Sequence, residues 1–190
     1  LSDYKDDVPR VRATYLKIIR ILAFIGMPLS IFLSVEAKDI IYILYGNQWD
    51  AAVPAFRILA LTVWIQMTLS SSGAIFQALD KSRWLFITGN ISAVIIVSSI
   101  IVGVIHGNIY AVAVYLSIGF AINFFVSFSI LSFKALKMSI LSFLKSFLNP
   151  TITVLIYCAF ALPLSYLLRD ISHPILRIAF QAFVLLATII

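Results

Sequence analysis

Apolar residues fill this chain in blocks of about twenty, parted by short polar turns, and each block is long enough to cross a hydrocarbon core about 30 Å thick as a helix. The first block covers 18–35, with Arg20 near its start, and the second covers 56–79, free of charge after Arg57. From Trp84 to Phe133 there is no Asp, Glu, Lys or Arg. At about 1.5 Å per residue that stretch is too long for one crossing. His106-Gly107-Asn108 is its strong turn signal, which divides it into 84–105 and 109–133. A fifth block, 150–168, opens on Asn149 as N-cap with Pro150 at the first helical position. A sixth starts at Pro174 and reaches the last residue, where it reads as incomplete. Alternation with period two is too weak for a β-barrel. The expected fold is an all-α integral membrane protein with about six transmembrane helices.

Two further segments are predicted to be helical without crossing. Residues 134–148 place Lys134, Lys137, Ser142, Lys145 and Ser146 on one side and Leu136, Ile140, Phe143, Leu144 and Phe147 on the other. That is a basic amphipathic helix suited to anionic headgroups, read here as a linker. Residues 37–45 form a weaker case that ends at Gly46-Asn47, a good C-cap.

Composition agrees with the pattern. Hydrophobic residues make up 62% and charged residues 12%, far from the roughly 25% charged of soluble domains. Disorder is excluded by the same figures. Cys158 is the single cysteine, which rules out a disulfide framework. The net charge of +6 does not form a nucleic-acid patch, because the basic residues punctuate the turns. If every block crosses once, ten Lys and Arg fall on one side (the segment through Arg20, then 81–83, then 134–145) and four on the other: Lys38, Arg57, Arg169 and Arg177. The positive-inside rule makes the richer side, with the N-terminal segment, cytoplasmic. The first residues, Leu1-Ser2-Asp3, carry neither an initiator Met nor a signal-peptide pattern, so the chain is expected to be part of a longer protein.

Catalytic constellations are missing: no acidic pair at helical spacing lies in a block, and there is no HExxH, CxxC, G-x-S-x-G or P-loop. No metal site or cofactor is expected. His106 and His173 sit in different turns and read as ordinary loop histidines, and Cys158 as a small packing residue. The informative feature is uncharged polarity. Thr62, Gln66, Ser70, Gly73 and Gln77 fall within about 80° of one helical face. Thr88, Ser92, Ser99 and Gly103 share a face of the third block, as Gly119, Asn123 and Ser127 do of the fourth. Such stripes avoid lipid. The last two fit close helix packing. Two long glutamines on one stripe exceed what packing needs, so Gln66, Ser70, Gln77 and Asn123 are the candidates for a hydrated pathway. Arg57 is a candidate for attracting an anionic substrate, with an interfacial snorkelling arginine as the plainer reading. Gly26-Met27-Pro28 and Pro163 permit kinks.

The run from Pro28-Leu29 through Ala37-Lys38-Asp39-Ile40-Ile41-Tyr42-Ile43-Leu44-Tyr45-Gly46-Asn47-Gln48-Trp49-Asp50-Ala51-Ala52 resembles the span and G-x-x-W-x-x-A loop of bacterial polysaccharide flippases. These are the O-antigen, colanic-acid and lipopolysaccharide exporters of the multidrug/oligosaccharidyl-lipid/polysaccharide superfamily. Phe56 to Leu61 and Ala78 to Arg83 look like that family's next helix and cytoplasmic turn, with Asp80 where a small residue is common. The resemblance implies spans nine to fourteen of a two-lobe, alternating-access transporter in the bacterial inner membrane. Residues 1–133 would then be second-lobe helices, 134–148 a linker and 149–190 two extra helices. It further implies a lipid-linked oligosaccharide as substrate, specifically undecaprenyl-diphosphate-linked repeat units. The phospholipid membrane and the N-terminal lobe of the same protein would be its partners. Alternatives are another transporter of that superfamily (a drug or cation antiporter, or a lipid II flippase), a membrane-embedded glycosyl- or polyprenyl-transferase, and a non-transporting scaffold.

Overall fold

A computed structural model describes residues 8–139, 143–167 and 174–189, and every regular element among them is helical. Helix α1 (Val8–Val35) buries Val11, Tyr15, Ile19, Ala23, Gly26, Ser30 and Ser34, a single stripe at spacings of three and four. The helix therefore starts ten residues before the apolar block does. After it, α2 (Ala37–Tyr45) ends at Gly46, whose φ of +82° lets its N–H bond Tyr42 O at 2.9 Å. A left-handed backbone of this kind suits glycine, as the sequence leads one to expect.

The second crossing is not one helix. A 3₁₀ turn (Asn47–Ala52) leads into α3 (Val53–Ala60), then α4 (Val63–Ser70) and α5 (Ser72–Ala78), with a 47° bend between the halves at Leu61-Thr62. The bend is made from outside. Ser30 of α1 accepts the Trp64 N–H at 3.0 Å on its hydroxyl, satisfying a donor that a helix start leaves free. Gly26 provides the room, since a Cβ there would lie 3.2 Å from the Trp64 Cα.

Two long helices follow, α6 (Ser82–Ile105) and α7 (Ile109–Ile130), joined at the predicted turn. Asn108 caps α7, its Oδ1 accepting the Ala111 N–H at 2.6 Å. The small-residue stripes of the pair meet. A Cβ on Gly119 would lie 2.8 Å from the Ser99 Cβ, and one on Gly103 would lie 2.6 Å from the Val112 Cα. Glycine is what permits that approach.

The bent segment crosses from one end of the bundle to the other. Its start lies against the start of α7, where Ile41, Trp49, Ala55, Phe56, Val112 and Leu116 surround one groove. Its finish lies beside the end of α7, where Lys81 donates to the Lys134 carbonyl. A re-entrant loop would return to the end at which it began.

The described residues of this stretch, 134–139 and 143–148, depart from one continuous amphipathic helix. A π-helical turn (Leu131–Leu136) extends α7, Lys137 then takes φ +47°, and a short 3₁₀ turn (Lys145–Phe147) precedes α8 (Leu148–Leu167). The physical reason is the core. Leu136, Met138 and Phe143 are buried in the main apolar cluster with Val11, Ile19 and Phe128, and the Phe143 ring stacks on Phe128. Leu144, expected on the apolar side, is exposed instead. Helix α8 begins at Leu148, and its Thr151 and Val154 share a cavity with Met27, Ser30 and Trp64.

Helix α9 (Pro174–Ile189) has 16 residues, short of a full crossing. Among the described residues three helices are long and apolar enough to span, four with the bent pair as one. His173, Arg169 and Ile140 lie outside the described residues.

Candidate functional site: a polar cleft beside the broken crossing

The break that ends α4 exposes a run of hydroxyls. Ser70, Ser71 and Ser72 each turn a side chain back onto a carbonyl three residues earlier, at 2.6–2.8 Å. Such back-bonding competes with the helical ladder and favours a break at this position. Where α4 meets α5, a cleft of about 250 Å³ opens toward α6 and α7. Its polar walls are Ser70, Ser72, Thr88, Ser92, Asn123 and Ser127, and Gly73 and Gly89 keep it open.

Behind the cleft the polar groups are linked. The Ser127 hydroxyl donates to Asn123 Oδ1 at 3.2 Å and lies 3.4 Å from the Ser92 hydroxyl, so α6 and α7 share a chain of three side chains, two buried and Ser92 half-buried. Asn123 is 7% exposed. A network of this kind fixes register in a low-dielectric setting and presents donors and acceptors without any formal charge. Among the described residues no cluster of His, Cys, Asp and Glu has the makings of a metal site.

The structure brings two of the five candidates, Ser70 and Asn123, to this cleft. Gln66 and Gln77 are exposed on the same broken crossing but do not line the cleft, and the expected single stripe is interrupted. Thr62 is buried at the bend, where its hydroxyl bonds Leu59 O at 2.7 Å and accepts from Gln66 Nε2 at 3.2 Å. Arg57 is exposed, yet its Nε donates to the Ser34 carbonyl at 3.2 Å. There it ties α3 to the last turn of α1, where a cation favours the helix end. His106 bonds Val102 O at 2.9 Å and Tyr115 Oη at 3.1 Å, closing the end of α6. Ser72 and Gly89 were not singled out in the sequence. Their signal, a Ser-Ser-Ser-Gly run opposite a glycine of the next helix, is legible only once the break is known.

The bundle defines a multi-pass, all-α membrane protein with an uncharged polar cleft. Comparison with known proteins narrows the class. Residues 1–54 match the family model described as Polysaccharide biosynthesis protein. A Klebsiella pneumoniae relative, described as an uncharacterized membrane protein in the cps region, is 25% identical over 155 residues, or 82% of this chain and 32% of that one. Teichuronic acid biosynthesis protein TuaB of Bacillus subtilis (strain 168) is 23% identical over 149 residues, 78% of this chain and 30% of its own length. The chain spans about a third of the length of these curated relatives. No solved structure matches. The matched residues include the run from Pro28 to Ala52 that carries the resemblance, and the chain is similar to proteins described for polysaccharide biosynthesis.

Proposed function

We propose that this chain is the second-lobe portion of an inner-membrane transporter that moves undecaprenyl-diphosphate-linked oligosaccharide repeat units from the cytoplasmic to the periplasmic leaflet. The carrying observation is the broken crossing, which exposes Gln66, Ser70 and Gln77 at the bundle surface beside the Asn123 cleft. Amides facing acyl chains are costly, so this face is assigned to a hydrated gap against the N-terminal lobe. A sugar head is too polar to cross hydrocarbon unaided, while its lipid tail can stay in the bilayer. Hydroxyls and amides lining a gap that opens to each side in turn lower that barrier without covalent chemistry, so the role is transport and not catalysis. Orientation follows from charge: the end with Lys81, Arg83, Lys134 and Lys137 is cytoplasmic.

Replacing Gln66 and Gln77 together with Leu in the full-length protein tests the reading. Surface polysaccharide is expected to fall at least about tenfold, the equivalent of about 1.4 kcal/mol on the limiting barrier, at unchanged protein level. Undiminished export would remove the pathway role from this face.

A further inference from the structure

At the end of the bundle opposite the basic turns, four helices converge on a polar junction. Glu36 lies between α1 and α2, and is 6% exposed. Asp39 lies one turn on, and Arg177 reaches it from α9 with Nη2 2.7 Å from Oδ1. Two fully buried side chains hold polar atoms without a partner here: the Tyr157 hydroxyl from α8 and Oε1 of Gln181 from α9. The Gln181 amide spends its Nε2 on Ala161 O at 2.9 Å, and Arg177 Nε is also without a partner.

The charges do not balance. Two carboxylates face one guanidinium, and Arg177 is engaged by Asp39. Lys38 next to Asp39 is exposed, and Arg57 from α3 is exposed with its Nε on the Ser34 carbonyl. From α8 the junction receives Tyr157 and Cys158, neither of them cationic. Fully ionised, the group of Glu36, Asp39 and Arg177 carries one surplus negative charge, which partial burial disfavours and which the solvent-exposed Lys38 beside Asp39 offsets only through water.

We propose that this junction is a proton-binding site: Glu36 takes up one exchangeable proton, and its protonated form holds α9 docked on α1 and α2. The protonated carboxyl removes the surplus charge and carries an O–H donor where the ionised form offers acceptors alone. Burial, and after it the neighbouring Asp39 charge, raises the Glu36 carboxyl above its ordinary value against the opposing pull of Arg177. A raised carboxyl contributes docking that is complete below its ordinary pKa and is lost as pH rises through the raised one. Alkali should therefore release α9.

The experiment uses the full chain in lipid nanodiscs, with Cys158→Ser and nitroxides at Leu44→Cys and Leu176→Cys. Both positions are exposed, on the two helices whose Ile40, Ile43, Ile175 and Ile178 face one groove. Spin–spin distances are followed from about pH 5 to about pH 9, a range that brackets the ordinary and the raised carboxyl. A short-distance population that is lost as pH rises, and that persists at every pH in Glu36→Gln, is the expected result. A distribution insensitive to pH, or a pH response unchanged in Glu36→Gln, overturns the proposal. Infrared difference spectra of the unlabelled protein give a second reading. A protonated-carboxyl band that titrates and vanishes in Glu36→Gln supports the site, and absence of that band in the unsubstituted protein refutes it.

Discussion

Single atoms decide how closely α6 and α7 approach. Gly119 has the Ser99 Cβ where its own Cβ would need to be, at 2.8 Å, with the Ser99 hydroxyl nearer still. Gly119→Ala is expected to cost about 1–3 kcal/mol, the usual range for overpacking. Thermal unfolding in detergent should show the loss, and Ser99→Gly should recover part of it in the double variant. A melting temperature unchanged by Gly119→Ala would mean that the helices part easily. The chemistry of Asn123, Ser127 and Ser92 was legible as two polar stripes, because period alone places them on inward faces. Their union into one hydrogen-bonded chain depends on the rotation of α6 against α7, which no single helix encodes.

Among elements, the broken crossing is the one whose shape its own residues do not announce. No Pro or Gly stands at Leu61-Thr62, and the apolar run through 56–79 reads as unbroken. The bend is specified by α1, through Ser30 on the Trp64 N–H and Gly26 beneath the Trp64 backbone. Ser30→Ala is expected to destabilise the bundle by about 1 kcal/mol through the orphaned N–H. Amide exchange at Trp64 should quicken more than exchange along α7, and equal protection in both proteins would argue against the role. The helix expected over 134–148 is interrupted at Lys137 for a related reason. Amphipathic spacing in 134–148 predicts a helix on the membrane surface, but Leu136 and Phe143 find a better apolar environment in the main cluster than at a headgroup boundary. Helix periodicity records which residues are apolar, not which neighbour buries them.

Over the whole molecule, the all-helical membrane architecture is the best-read property, because it rests on block length and apolar composition. The structure sorts the ends as the charge count does. Lys81 and Lys134 meet at one, with Lys134 over the Trp84 ring, while Asp39 and Arg177 meet at the other. A reporter fused after Gly46 is expected to read periplasmic and one fused after Lys81 cytoplasmic. Like readings from the two fusions would turn the bent segment into a hairpin and reverse every crossing after it.

The Asp39–Arg177 pair joins residues 138 positions apart. During synthesis, the carboxylates that follow α1 therefore emerge long before their cation does. Until α9 is made, Glu36 and Asp39 must remain wet or protonated, and the ion-paired link from α2 to α9 stays open through most of translation. Biogenesis of this bundle is thus expected to finish with a late clasp, one that any ribosome stopping short of Arg177 leaves open.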